Sequence, residues 1–363
     1  MKMPADLIRE EISKCGAISF ARFMEIALYC PENGYYERNQ DNVGRAGDFI
    51  TSVSTGRLFG ELLAFQFSAW LEQVKKPSLQ IIEAGAHDGK LAADILTWLK
   101  TNRAGLFAKI EYIILEPSPT RRQWQQRTLA SFPNVVWYEN FETLKLKTKN
   151  SKLHGVLFSN ELLDAFPVHR LGWDAKAKSW FEHGVTLDGE KFCFNRLPLT
   201  HHSSLVTHHL PAALLAVLPD GYTIESSPSA ENWWRDAAGV LSHGKLVAID
   251  YGFTAQEQFS PARTNGTLRA YFHHQVTDDV LASPGGQDLT AHVNFSAIQK
   301  AGEAAGLKTE AFCTQPQFLT RILGEAVKEN LFTQLDPKQI RQFQTLTHPD
   351  HLGRAFRVLV QSR

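Results

Sequence analysis

The residues of this chain best suited to chemistry stand where apolar runs break off. In SNELLDAFPVH (159–169), Asn160, Glu161 and Asp164 follow directly on the run GVLF. Two carboxyls and an amide so close together suit a cationic acceptor, because carboxylates grip the planar fork of a guanidinium and bias its electron density toward one nitrogen. The same acids equally suit capping a helix that follows. Glu116 ends the run EYIIL, at the place where a βαβ unit presents an acid to a ribose diol. Tyr138, Glu139, Asn140 and Phe141 close a third run and offer an adenine an aromatic face and polar edges. Glu83 closes a fourth, QIIE, and is followed by Gly85 and Gly89. Glycines there can take positive φ and let a ligand approach the backbone, toward which the free N–H groups of the next helix point.

The spelling of that turn separates three ligands. A phosphate-clamping P-loop needs four residues between its glycines and then Lys-Ser/Thr; here three intervene, and Leu91 follows Lys90. A dinucleotide turn wants a second glycine where this chain has His87. An acid at the strand end followed by G-x-x-x-G suits a ligand without phosphates, an amino-acid tail joined to a ribose. That ligand is S-adenosylmethionine, and a tight turn holding nothing is the alternative.

These residues need a scaffold that brings strand ends together. Strand-like runs at 80–84, 111–116, 135–138 and 154–160 alternate with helical periodicity, as in KLAADILTWLK, where Leu91, Ile95, Leu96 and Leu99 share a face. The pattern resumes with a helix and strand through SPSAENWWRDAAGVLSHGKLVAIDYG, a helix at NFSAIQKAGEAAGL, a strand at KTEAFCT and a closing run GRAFRVLVQ. Such alternation predicts an α/β fold of class I methyltransferase type, a Rossmann-like parallel sheet with one antiparallel C-terminal strand. It is expected to comprise an N-terminal helical region at 1–76 and a core at 77–363. Inserted β-hairpins are expected at about 172–220 and a loop and helical insert at about 253–306, with 260–290 as loop.

Composition narrows the partners. The 363 residues are 43% hydrophobic and 21% charged, with 38 basic and 38 acidic side chains. A net charge of +0 gives no general attraction to nucleic acid. No stretch of about 20 apolar residues predicts a membrane span. Cys15, Cys30, Cys193 and Cys313 form no C-x-x-C pair, and the start MKMPADLIREEISKCG resembles neither a secretory signal nor an Arg-rich transit peptide. Reduced thiols in a cytoplasmic setting are the expectation. The paired histidines His201/His202, His208/His209 and His273/His274 place their side chains divergently, so no metal is expected. No G-x-S-x-G or H-E-x-x-H occurs.

The blocks GRAGDFITS, EAGAHDGKLA, LEPSP, SNELLDAFPVH, AIDYG, GTLRAYFHH and QDLTAHVNF, in that order, resemble those of the MidA-type S-adenosylmethionine-dependent methyltransferases, which include the mitochondrial complex I assembly arginine methyltransferase. The resemblance runs from about residue 16 to 360. It implies a methyltransferase core and, from the mitochondrial members, a protein substrate: symmetric dimethylation of an arginine on a respiratory-complex subunit. It implies that Gly47 and Asp48 belong to a loop closing over the cofactor. Gly85 and Gly89 would lie beneath it, Glu116 on the ribose, and Asn160, Glu161 and Asp164 on the acceptor side. Two departures stand out. Val53-Ser54 replaces the family's usual Pro-Glu, which removes a carboxylate near the cleft, and the glycine turn lacks a G-x-G core.

The leading expectation is therefore methylation of a protein side chain, with arginine nitrogen first. Two alternatives stay open. One is a small-molecule methyltransferase lidded by the aromatic hairpins of Trp173, Trp180, Phe181, Phe192 and Phe194; the other is an assembly protein that binds the cofactor without turnover.

Overall fold

The computed structural model describes residues 2–38, 51–149, 152–199, 212–261, 263–272, 275–277 and 279–363. Its centre is an eight-stranded sheet. Seven strands are β1 (Leu79–Ala84), β2 (Ile110–Leu115), β3 (Val135–Tyr138), β4 (Leu153–Asn160), β5 (Leu241–Phe253), β6 (Lys308–Thr314) and β7 (Phe356–Ser362). They lie in the order β3-β2-β1-β4-β5-β7-β6, and the two-residue strand Val293–Asn294 adds to β5. Every neighbour from β3 to β5 is parallel; β7 runs antiparallel to both β5 and β6. This is the class I methyltransferase plan.

Strand residues are buried on both faces, which is why these runs read as continuously apolar. Side chains alternate between two cores: Ile81, Tyr112 and Ile114 join one, and Ile82, Ile113 and Leu115 join the other. The first core takes the helices Leu58–Leu71, Lys90–Asn102 and Gln315–Lys328; the second takes Pro228–Val240 and Phe295–Ala304. Each fully buried Ile or Leu contributes about 1.5–3 kcal/mol.

Register then decides the site. Ala84 pairs with both Leu115 and Ser159, and Asn160 pairs with Ile249. The residues that follow, Gly85, Glu116, Glu161 and Asp250, therefore emerge level along one edge.

Two smaller sheets stand beside this one. A five-stranded antiparallel sheet contains His169–Asp174, Ser179–Asp188, Lys191–Leu197, Thr223–Ser226 and the two-residue strand Ile18–Ser19 from the N-terminal region. The stretch 260–290, expected as loop, instead holds Arg269–Phe272, Gln275–Thr277 and Asp288–Thr290 in a three-stranded sheet. Strands of three or four residues are too short to show alternation. Helix Pro337–Thr347 was not expected either. Its text is mostly polar, and it forms behind a capping box at Asp336 and packs against Leu58–Leu71, where Gln342 accepts the Leu58 N–H at 3.1 Å.

Candidate active site

At that edge lies a cavity of about 1190 Å³. Single-ligand pockets run to roughly 300–1,000 Å³, so this one has room for two molecules. Its lining includes Glu83, Gly85, Glu116, Glu139, Asn140, Asn160, Glu161 and Asp164. Gly89 sits behind the lining, and Gly47 and Asp48 lie outside the described residues, as do the histidine pairs at 201–202, 208–209 and 273–274.

The turn after β1 depends on its glycines. Gly85 has φ 76°, and a Cβ there would stand 3.0 Å from Leu162 Cδ1. Gly89, at φ 81°, precedes the helix Lys90–Asn102, and a Cβ would meet Gln125 Cα at 3.3 Å. Between them His87 also takes positive φ, 46°. Its carbonyl accepts from Gln125 Nε2 at 3.1 Å, and its ring meets Trp124 edge-on. Glu83 is fully buried under the turn, where its Oε2 accepts the Tyr112 hydroxyl at 2.6 Å. Burial pushes its carboxyl up to about 8, against the lowering pull of that hydrogen bond.

The Glu116 carboxyl is held by two hydrogen bonds, one to each oxygen. Its Oε1 accepts the Ser118 N–H at 3.0 Å and its Oε2 accepts Gln125 Nε2 at 2.7 Å, while Trp137 Nε1 donates to the Gln125 oxygen at 3.1 Å. Burial raises its carboxyl to about 7. At the rim Glu139 and Asn140 are exposed, and the Asn140 side chain is engaged in capping the helix Phe141–Lys147. Its amide oxygen is thus already committed to the Thr143 N–H at 2.9 Å.

The far end of the cavity is acidic. Glu161 adopts φ 50°, a strained conformation for a residue with a Cβ, as active-site residues often do. Its Oε1 accepts the Ser52 N–H at 2.9 Å and Asn160 Nδ2 at 3.1 Å, and burial lifts its carboxyl to about 8. Among the described residues, Glu161 Oε2 and Asn160 Oδ1 are buried without a hydrogen-bond partner. Asp164 follows in the short 3-10 turn Leu163–Ala165; burial, and then the charges of Asp250, Asp288 and Glu161, hold its carboxyl well above the usual range. Ser54, where the family usually has an acid, lines the cavity too, and its hydroxyl is tied to Thr51.

Other residues of this site escaped the reading of the sequence. Asp250, in β5 one residue past its parallel pairing with β4, accepts the N–H groups of Leu162 at 3.1 Å, Leu163 at 2.8 Å and Tyr251 at 2.8 Å, and so fixes the turn that carries Asp164. An acid closing the apolar run LVAI is the signal that could have found it. Asp288, Tyr29 and Tyr36 come from segments with no such signal. The aromatic lid of the small-molecule alternative finds no support here: Trp173, Trp180, Phe181, Phe192 and Phe194 are absent from the cavity lining among the described residues. Trp173 and Trp180 pack with Tyr222 in a core of their own, and Phe192 packs on Phe23 of the N-terminal helix Phe20–Tyr29.

Sheet order, level strand ends and a two-molecule cavity over a glycine turn define a class I methyltransferase. Residues 62–313 match the model of a family described as "Putative S-adenosyl-L-methionine-dependent methyltransferase", and the chain belongs to that family, in which S-adenosylmethionine is the methyl donor. A crystal structure of a Burkholderia thailandensis protein bound to S-adenosyl-homocysteine shares 30% identity and superposes with a TM-score of 0.85, covering 99% of this chain and 92% of that one. Protein arginine methyltransferase NDUFAF7 homolog, mitochondrial, of Drosophila melanogaster is 27% identical over 98% of this chain and 84% of its own length. Protein arginine methyltransferase NDUFAF7, mitochondrial, of Danio rerio is 27% identical over 96% of this chain and 84% of its own length.

Proposed function

We propose that this methyltransferase acts on an arginine nitrogen of a protein substrate, with the donor over the turn at Gly85 to Gly89 and the acceptor at the Glu161 and Asp164 end. The observation that carries the reading is the unpartnered acceptor pair, Glu161 Oε2 and Asn160 Oδ1, buried beside Asp164 in the cavity. Acceptors without donors suit a ligand that brings several N–H groups, as a guanidinium does. The names of the Drosophila and zebrafish relatives support the same choice.

The residues divide the work. S-adenosylmethionine supplies an electrophilic methyl group when bound. Glu116, positioned by Gln125 and Ser118, accepts from the ribose hydroxyls, and the glycine turn lets the backbone approach the amino-acid tail. Glu139 stands at the adenine end by its place after β3. Asp164 and Glu161 orient the acceptor for in-line attack, which is chiefly a matter of positioning. A carboxyl raised to about 8 is matched to accepting the guanidinium proton near neutral pH.

We read 1–76 as a helical region that completes the site and 77–363 as the core, with the hairpins near 172–220 and the segment near 253–306 as inserts. Tyr29 and Tyr36 of the first region line the cavity, which supports that division of labour. We also propose a reducing, cytoplasm-type compartment. All four cysteines are free, and no helix among the described residues is long and apolar enough to cross a membrane.

The experiment is methyl transfer from isotope-labelled S-adenosylmethionine to proteins of an extract, followed by acid hydrolysis and separation of the methylated amino acids. Label in methylarginine, lost with Glu161→Gln, is the expected result. Label confined to another amino acid or to small molecules would overturn the reading.

A further inference from the structure

We propose that Asp288, oriented by Tyr36, is the second carboxylate of a clamp whose first is Asp164, and that this clamp sets a preference for a guanidinium over an ammonium acceptor. The inference rests on the arginine reading above and adds the residues that enforce it.

Asp288 is 1% exposed and reaches the cavity from the three-stranded sheet. Its Oδ1 accepts the Tyr36 hydroxyl at 2.8 Å, which fixes the carboxyl plane. The strand carrying it is docked on the Asp164 turn by the Ala291 N–H, 2.9 Å from the Asp164 carbonyl. Tyr36 stacks on Tyr29 at 5.7 Å between ring centres, and the Tyr29 hydroxyl donates to the Ala165 carbonyl at 2.9 Å. The acid of the three-stranded sheet and the 3-10 turn that carries Asp164 are thus tied together through the same pair of rings.

A third acceptor completes the arrangement. Asn160 is 8% exposed and lines the same cavity, and its Oδ1 has no partner among the described residues. A guanidinium carries five donors in a planar fork, whereas an ammonium carries three around a point. Two carboxyls and an amide oxygen match the first and leave acceptors idle with the second. The lining agrees: among the described residues eleven carboxyl side chains line the cavity against Lys90 and Arg121. A cationic acceptor is drawn in by such a lining.

The test uses the full chain saturated with S-adenosylhomocysteine and titrated by NMR with the peptides Gly-Gly-Arg-Gly-Gly and Gly-Gly-Lys-Gly-Gly. The wild type is expected to prefer the arginine peptide by about tenfold or more, the scale expected when paired acceptors are left unmatched. Asp288→Asn should abolish that preference, Tyr36→Phe should reduce it, and Asp288→Glu should restore part of it, all with unchanged S-adenosylhomocysteine affinity. Equal binding of the two peptides by the wild type, or a preference that survives Asp288→Asn with cofactor binding intact, would overturn the clamp. Should Asp288→Asn fail to bind the cofactor, Tyr36→Phe decides in its place: an undiminished preference there overturns the clamp. Loss of cofactor binding in the wild type would strike the methyltransferase site itself and the clamp with it.

Discussion

Glu161 and Ser52 are joined by a hydrogen bond of 2.9 Å from the Ser52 N–H to Glu161 Oε1, which ties the acceptor-side acid at the end of β4 to the segment that follows GDF. The bond engages Oε1 and leaves Oε2 buried without a hydrogen-bond partner among the described residues. Glu161→Gln keeps an oxygen for Ser52 and removes the charge and the proton acceptor. Methyl transfer should fall by roughly 100-fold, the ordinary worth of a positioned general base. Donor affinity should stay within about twofold, as expected for an interaction made only on the acceptor side. Single-turnover rates beside equilibrium donor binding separate the two effects. Unchanged transfer would remove Glu161 from the acceptor machinery.

Asp250 supports the site from behind. Asp250→Ala strips the acceptor from the N–H groups of Leu162, Leu163 and Tyr251. Leaving donors unpaired costs about 1–3 kcal/mol for each one that water cannot reach. Denaturant unfolding should show the loss, and transfer should drop because the Asp164 turn is no longer fixed. Asp250→Asn, which keeps one oxygen, should lie between the two.

Gln125 governs the ribose end without facing the donor. Its amide bridges Glu116, the His87 carbonyl and Trp137 Nε1, and it is fully buried. Gln125→Leu should raise KM for the donor about tenfold with little change in kcat, as loss of a positioning contact does. Initial rates across donor concentrations give the split.

The buried acids make the free protein's stability depend on pH. Burial raises Glu83 and Glu161 from 4.5 to about 8, Glu116 from 4.5 to about 7 and Asp250 from 3.8 to about 7. Between pH 4 and 8 the unfolded chain has lost these protons while the folded chain keeps them, so the folded state binds more protons and stability falls as pH rises. Their contribution is complete below about pH 4 and lost as pH passes through 7 to 8. The Tm of the free protein should fall by several degrees from pH 5 to 8, and by less with the cationic donor bound, whose charge favours the ionised carboxyls. A Tm that rises over that window would contradict these assignments.

The sequence was most legible where strand ends reach the cavity. Glu83, Gly85, Glu116, Asn160, Glu161 and Asp164 all follow apolar runs, and parallel register alone brings such ends level. His87 looked like an obstacle in the turn; its positive φ and its contact with Trp124 show how a side chain is accommodated there. Asp288 and Tyr36 were hidden because a three-residue strand and a run of turns have no period to read. Asn140 sits near the cavity, yet its side chain serves the following helix. The hairpin aromatics misled because aromatic enrichment looks the same in a small core as in a lid.

Calorimetric titration with S-adenosylmethionine and with NAD, repeated on Gly85→Val and Glu116→Ala, tests the placement of the donor most directly. The account predicts that the methyl donor alone binds the wild type. Both substitutions should weaken it at least tenfold, Gly85→Val because φ 76° and Leu162 at 3.0 Å leave no room for a side chain. Donor binding indifferent to both substitutions, or binding of NAD, would place the ligand elsewhere and contradict the site as built.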